Sequence, residues 1–111
     1  MKTSELIGAA LDWAVTKIEA ERKLFTIYPQ YITPYSTDWA QGGPIIEREE
    51  ISISREFASG RIEWDAWTPA PIRDDAEAFG YGQTPLIAAM RCYVASKLGD
   101  EVELPTELNC I

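Results

Sequence analysis

The segment from Thr84 to Gly99 constrains the fold most, because it carries a complete set of helix signals. Thr84 is a suitable N-cap, Pro85 fits the first helical position, and Gly99 comes just after the predicted end. Apolar residues at helical spacing supply its buried side: Leu86, Ile87, Met90, Tyr93, Val94 and Leu98. The sequence therefore predicts a C-terminal helix that must pack against other elements.

A β-hairpin is predicted at about residues 51–67. Apolar and polar side chains alternate from Ile51 to Phe57 and again from Ile62 to Ala66, and Ala58-Ser59-Gly60 provides a turn. Trp64 falls on the inward side of this hairpin. A further short strand is expected at about 24–32. Residues Thr68–Gly82 contain prolines, glycines and acids, which predicts a long surface loop flanked by the exposed aromatic residues Trp67 and Tyr81.

Two more helices complete the predicted fold. The N-terminal helix is expected from about Ser4 to Arg22, with Thr3 or Ser4 as its cap and Ile7 on its buried stripe. A middle helix begins after Ser36 or Thr37 and ends near residue 49, with a kink or restart at Pro44. The prediction is a single α+β domain over residues 1–111, in which three helices pack on a small antiparallel sheet and residues 104–111 form a loose tail.

Charge and composition exclude several classes of function. The chain has 18 acidic and 10 basic residues and a net charge of −8, which argues against direct nucleic-acid binding. It contains no His, so catalysis by imidazole and zinc sites with His ligands are excluded. Cys92 and Cys110 are too few for a disulfide framework and are expected to be reduced. We expect no catalytic residues, cofactor, metal or membrane contact, and a cytoplasmic location.

Arg91 is the most informative single residue of the last helix. With Ile87 at zero on a helical wheel, Val94 falls at about 340°, Leu98 at about 20° and Arg91 at about 40°. The guanidinium therefore leaves the helix within the apolar stripe, where an unpaired charge is costly. Three interpretations remain: an internal ion pair with Asp38 or Asp12, a side chain that reaches water, or a pocket residue that binds a ligand phosphate or carboxylate.

The segment Tyr35–Trp39 is the predicted second half of such a pocket. A helix start presents free N–H groups, and the hydroxyls of Ser36 and Thr37 add donors. Tyr35 and Trp39 supply flat faces for stacking. An ordinary N-cap beside core aromatic residues explains the same pattern. The predicted ligand-binding set is Arg91, Tyr35, Ser36, Thr37, Asp38, Trp39 and Thr84.

Four runs of the sequence resemble the NinX-type phage proteins. They are Tyr35–Glu49 (YSTDWAQGGPIIERE), Gly82–Val102 (GQTPLIAAMRCYVASKLGDEV) and, within Met1–Val15, the runs MKTSEL and LDWAV. The segments 23–34 and 68–81 do not share this resemblance. The resemblance implies a small accessory protein of tailed phages that works in the host cytoplasm, and it supplies no catalytic residues. A looser similarity to phage ABA sandwich domains implies helices layered around a small sheet.

Two hypotheses for function follow. The first is a non-enzymatic phage protein that sequesters a small anionic, nucleotide-like molecule such as a host defence signal. The second is an acidic protein that inhibits a host protein, using Glu47, Glu49, Glu50 and the acidic loop around Asp74–Glu77. A hydrolase acting on the same small molecules is a third, less favoured reading, because His and metal ligands are missing. The sequence leaves a homo-oligomer open.

Overall fold

A computed structural model of the chain describes residues 1–23, 32–58, 61–70 and 76–105. Within these ranges the chain forms three α-helices and three β-strands, preceded by one 3₁₀-helical turn, Thr3–Glu5. The elements are α1 (Gly8–Lys23), α2 (Trp39–Glu49), β1 (Ser52–Ala58), β2 (Arg61–Ala70), β3 (Ala76–Gly82) and α3 (Pro85–Leu98). The predicted α+β class, with N-terminal, middle and C-terminal helices and a small antiparallel sheet, is confirmed.

The sheet is an antiparallel meander in the order β1-β2-β3. The predicted hairpin is confirmed, with Ile53 opposite Ala66 in the register of β1 and β2. The prediction of a loop over residues 68–82 is wrong, because β2 continues to Ala70 and β3 spans Ala76–Gly82. The strand predicted at 24–32 falls, except for Ile32, outside the described residues.

The loop prediction failed because β3 has an unusual composition. Small residues on its inner side, Ala78 and Gly80, alternate with the exposed aromatic residues Phe79 and Tyr81. This is a period of two, but the apolar face consists of residues with little or no side chain. At Gly80 an added Cβ would overlap the main-chain oxygen of Ala88 and lie 3.0 Å from Cys92 Cα. The small residues therefore allow α3 to approach β3 closely.

Helix α3 is the central element of the fold, and its predicted boundaries are confirmed. The Thr84 hydroxyl accepts a hydrogen bond from Ile87 N at 3.1 Å, Pro85 is the first helical residue, and Gly99 is the C-cap. The helix contacts all three strands as well as α1 and α2. Its side chains are buried around most of its circumference, so the core surrounds α3 and does not form one stripe along it.

The first two helices begin later than predicted. Gly8 has a φ of +58° and starts α1, so Ile7 precedes the helix and is 55% exposed. Thr3 does not cap α1: its hydroxyl donates to Gly99 O at 2.6 Å. In α2 the N-cap is Asp38, whose carboxylate accepts from Ala40 N at 3.0 Å. The helix continues through Pro44, so the kink or restart expected there does not end it.

Candidate functional site

Arg91 joins α3 to the segment before α1 and to the end of β3. Its Nε donates to Leu6 O at 2.8 Å and its Nη1 donates to Tyr81 O at 2.7 Å. The side chain is half-buried, and this burial lowers the pKa of Arg91 from its ordinary value. Within the described part of the chain, the ion pairs closer than 4.0 Å do not include Arg91. Among the described residues, its hydrogen-bond partners are therefore two main-chain carbonyl groups and no carboxylate.

The predicted ion pair of Arg91 with Asp12 or Asp38 is thus not formed, because both acids serve the start of α2. Asp12 is buried in α1, and its Oδ1 accepts a hydrogen bond from Ser36 N at 2.8 Å. Burial raises the pKa of Asp12, and the hydrogen bonds from Ser36 act against this rise. Asp38 is occupied as the N-cap of α2.

Two adjoining cavities open on either side of Arg91. The first has a volume of about 250 Å³ and the second about 220 Å³, and both are lined by Ser4, Tyr81 and Arg91. Lys2 and Phe79 line the first cavity, among others, and the second includes Gln83, Glu63 and Ile87. We call the pair the Arg91 groove. The hydrogen bond from the Arg91 guanidinium to the carbonyl group of Tyr81 joins two of the three residues that line both cavities.

The structure separates the two halves of the predicted site. Neither cavity of the Arg91 groove is lined by Tyr35, Ser36, Thr37, Asp38 or Trp39. Tyr35 and Ser36 are buried, whereas the Trp39 side chain is 53% exposed at the start of α2. Five of the seven predicted ligand-binding residues therefore lie together, but away from Arg91.

Thr84, the remaining predicted residue, is the N-cap of α3 and directly follows Gln83 of the groove. The hydroxyl of Thr84 is already a hydrogen-bond acceptor for the helix, at 3.1 Å from Ile87 N. Its position contributes to the site by fixing where α3 begins, and hence where Arg91 lies seven residues further along.

Sequence reasoning missed the groove residues Lys2, Ser4 and Gln83, and marked Tyr81 only as an exposed aromatic residue. Tyr81 is 54% exposed and belongs to β3, where the sequence predicts a loop. The alternation of small and large residues from Ala76 to Gly82 was the signal that could have found it. No comparable signal marks Lys2 or Ser4, which reach the groove only because the chain start lies against the end of α3. This contact is a bridge between Lys2 and Glu101.

The groove carries charges of both signs. Lys2 and Arg91 line the first cavity together with Asp100 and Glu101, and Glu63 lines the second. A ligand that is anionic along its whole length would meet these carboxylates. The arrangement suits a molecule with one anionic group for Arg91 and hydrogen-bond donors elsewhere. Within the described residues, no group of three or more His, Cys, Asp or Glu side chains could hold a metal ion.

A second polar cluster lies between the three helices. Glu19 is 1% exposed, and its Oε1 accepts from Arg48 at 2.7 Å and from the hydroxyl of Tyr93 at 2.9 Å. Glu49 extends the cluster, since it pairs with Arg48 at 2.9 Å and with Lys97 at 3.1 Å. Burial lowers the pKa of Arg48, but the hydrogen bonds to Glu19 and Glu49 outweigh it and raise the pKa above its ordinary value. Glu19 Oε2 is buried without a hydrogen-bond partner among the described residues, and Arg22 and Lys23 lie 3.9 and 3.8 Å from it. The cluster ties α1, α2 and α3 together.

Comparison with known protein families identifies the family of this chain. The family described as Bacteriophage P22, NinX matches residues 2–97. The chain belongs to the phage P22 NinX family. The NinX match runs through every helix and strand described above and ends one residue before the last residue of α3. It includes Arg91 and most residues of the groove, and it extends through residues 23–34 and 68–81, where no resemblance had been recognised. No curated protein sequence matches the chain.

The NinX assignment confirms the resemblance stated from the sequence and puts the chain in a phage protein family. It gives no reaction, ligand or partner. Among the residues that the structure describes, no helix is long and apolar enough to cross a membrane.

Proposed function

We propose that this NinX-family protein binds a small anionic, nucleotide-like molecule in the Arg91 groove and sequesters it without chemical turnover. The observation that supports the proposal is the state of Arg91: a half-buried cation with carbonyl partners, placed between two cavities. The proposed site keeps Arg91 from the predicted ligand-binding set, and it replaces the segment 35–39 with Lys2, Ser4, Tyr81 and Gln83.

Electrostatics favour an anion at this position. Removing a cation from water costs free energy, and neutral carbonyl groups compensate for this cost less well than a formal negative charge. A phosphate or carboxylate that binds Arg91 forms charge-assisted hydrogen bonds, which are roughly twice as strong as neutral ones. Lys2 adds a second positive charge to the same cavity.

Size and surface chemistry favour a ligand with a flat ring. Pockets for small molecules have volumes of roughly 300–1,000 Å³, a range that the two cavities reach only together. The exposed Tyr81 side chain and Phe79 offer aromatic faces for a base. Asp100 and Glu101, which also line the first cavity, can accept hydrogen bonds from amino or hydroxyl groups of a nucleoside. A nucleotide with a single phosphate or phosphodiester group fits this combination.

Sequestration by a protein of this size needs affinity and not catalysis. The groove offers a cation, hydroxyl and amide groups and aromatic rings, which recognise a ligand, and carboxylates that accept its hydrogen bonds. A phage benefits from such a protein in the host cytoplasm, where it lowers the free concentration of a nucleotide signal. This role rests on the chemistry of the groove together with the phage origin.

The competing inhibitor hypothesis finds less support at its predicted residues. Glu49 is engaged by Arg48 and Lys97, while Glu47 and Glu50 remain exposed on either side of it. Asp74 and Asp75 lie outside the described residues.

A thermal-shift screen tests the proposal. The purified protein is heated with a panel of nucleoside monophosphates and cyclic mono- and dinucleotides, and with adenosine as an uncharged reference. A ligand present at 100 times its Kd stabilises the folded state by about 2.7 kcal/mol. At roughly 4 °C per kcal/mol for a chain of this length, that corresponds to a rise in Tm of about 10 °C.

Arg91→Met is the matching variant, because it keeps the apolar stem and removes the guanidinium. We expect it to abolish the ligand-induced rise in Tm. Lys17→Met, which changes the net charge equally but lies in α1 outside the groove, should keep it. Arg91→Lys retains the charge and serves if the Met variant does not fold. A ligand-induced shift that is equal in the wild type and in both Arg91 variants would contradict the proposal, as would a panel without any shift.

A further inference from the structure

The face of the sheet that points away from α3 carries an unusual set of side chains. Residues that alternate onto it are Ser52 and Ser54 of β1, Glu63, Asp65 and Trp67 of β2, and Glu77, Phe79 and Tyr81 of β3. We call these residues the outer face. Each of them is exposed or half-exposed, whereas their neighbours in sequence Ala66, Ala78 and Gly80 are buried under α3.

The register aligns aromatic and acidic side chains in two rows across the strands. Ser52, Trp67 and Phe79 form one row, and Ser54, Asp65 and Tyr81 form the next. Directly opposed side chains in an antiparallel sheet have their Cβ atoms about 5 Å apart. Tyr81 and Asp65 are therefore directly opposed neighbours on the outer face. Ser54 donates a hydrogen bond to that carboxylate, which fixes its position.

Large apolar side chains are costly to leave in water when they are adjacent. Phe79 is 47% exposed and Tyr81 is 54% exposed, and Trp67 is half-exposed opposite Phe79. Exposed aromatic residues that cluster in this way mark binding surfaces on soluble proteins. The three described charges on the outer face, Glu63, Asp65 and Glu77, are all negative.

We propose that the outer face is a docking surface for a protein partner that presents arginine and lysine side chains. A guanidinium group stacks on an aromatic ring and pairs with a carboxylate through two parallel hydrogen bonds, and the adjacent Tyr81 and Asp65 supply both partners. Trp67 and Phe79 next to them cover the aliphatic stem of the bound side chain.

The charges of the outer face favour a cationic protein over the other molecules that bind aromatic surfaces. A second copy of the chain would bring three carboxylates against three carboxylates in a face-to-face dimer. Nucleic acids and anionic membranes are repelled by the same charges, on a protein with a net charge of −8. A cationic protein surface is the occupant that both the rings and the acids favour.

Titration calorimetry with a synthetic hexa-arginine peptide tests the proposal on the full-length protein. We expect 1:1 binding, weaker binding of hexa-lysine because its ammonium groups do not stack, and a loss of affinity with salt. Asp65→Asn should weaken hexa-arginine binding about tenfold, and Phe79→Ser about fivefold. The controls are Glu47→Gln and Trp39→Ser, which remove an exposed acid and an exposed ring from α2, and both should bind as the wild type does.

Three results would overturn the proposal: no binding of hexa-arginine, an equal loss in Glu47→Gln and Asp65→Asn, or a dimer in sedimentation analysis that Phe79→Ser dissociates. The last result would assign the outer face to a second copy. Arg91→Met leaves the outer face intact and should still bind the peptide, so failure of the Arg91 groove and failure of the outer face are distinguishable. Glu63, Phe79 and Tyr81 belong to the outer face and also line the groove, whereas Asp65 does not line it. Asp65→Asn is therefore the variant that tests the outer face alone, including the case in which Phe79→Ser does not fold.

Discussion

Gly80→Ala should destabilise the protein more than a glycine-to-alanine substitution at any other described glycine. A Cβ at this position would overlap Ala88 O and Cys92 N and lie 3.0 Å from Cys92 Cα. All three atoms belong to the backbone of α3, so rotation of a side chain cannot relieve the clash. Overpacking of a core costs about 1–3 kcal/mol, and more where the backbone must move. We therefore expect the free energy of unfolding to fall by about 3 kcal/mol or more, because α3 has to move away from β3.

The assay is equilibrium unfolding in urea, followed by Trp fluorescence and far-UV circular dichroism. The matched control is Gly43→Ala in α2, where the nearest atom to an added Cβ is Trp39 Cε3 at 4.0 Å. There the same methyl group meets no clash, and replacing a helical glycine by alanine stabilises by about 0.5–1 kcal/mol. The two substitutions are chemically identical, so their opposite signs isolate the contact between α3 and β3.

Equal stability of Gly80→Ala and the wild type would refute the reasoning. It would mean that α3 does not approach β3 at Gly80, and the position of Arg91 relative to Tyr81 would then be wrong as well. If Gly43→Ala lowered the free energy of unfolding as much as Gly80→Ala, both effects would come from backbone conformation and not from packing.

Three further predictions concern buried polar groups. Arg48→Met should cost about 3 kcal/mol or more in urea unfolding, because it removes the nearest cation of the buried Glu19 carboxylate, whose next cations, Arg22 and Lys23, are 3.9 and 3.8 Å away. Tyr93→Phe, which removes one hydroxyl from the same cluster, should cost about 2 kcal/mol. Equal effects of the two substitutions would argue against a charge-based role. Burial raises the pKa of Cys92 to about 12. In a Cys110→Ser protein at pH 8, the Cys92 thiol should therefore react with a disulfide reagent only when the protein unfolds. Fast reaction of the native protein would contradict the burial of Cys92. Burial raises the pKa of Glu49, but hydrogen bonds from Arg48 and Lys97 outweigh burial and hold the pKa below its ordinary value of 4.5. The contribution of Glu49 to the free energy of unfolding is therefore present above about pH 4.5 and is lost as the pH falls through the lowered pKa. The stability gap between the wild type and Glu49→Gln should therefore close in acid unfolding curves below that pH, and a constant gap would contradict the ion pairs.

Local signals in the sequence were sufficient for the parts of the fold that short-range physics determines. Thr84, Pro85 and Gly99 bound α3 as predicted, because capping depends on a few neighbouring residues. The hairpin was recognised for a similar reason, since its alternation is visible within one segment. Strand β3 was not predicted because its inner residues Ala78 and Gly80 are small. Small residues are needed there only because α3 packs closely against β3, and this contact cannot be read from the local sequence.

The candidate site was harder to predict because it depends on contacts between distant segments. The wheel position of Arg91 indicated a half-buried cation, which is what the structure has. Its partners, Leu6 O and Tyr81 O, are main-chain atoms that carry no sequence signal. The acids proposed as its partners are used by α2, whose cap is Asp38 and not Ser36 or Thr37. A sequence can show that a charge needs a partner, but only the fold determines which groups come within reach.

Mass spectrometry of the small molecules that the protein releases on denaturation tests the central claim most directly. Wild-type protein and Arg91→Met are expressed in phage-infected bacteria, purified in parallel and heat-denatured, and the two supernatants are compared. The Arg91 groove predicts a phosphate-containing, ultraviolet-absorbing compound in the wild-type sample, near one equivalent per chain, and its absence from Arg91→Met. Equal amounts from both proteins, or none from the wild type, would contradict a function based on sequestration in the groove.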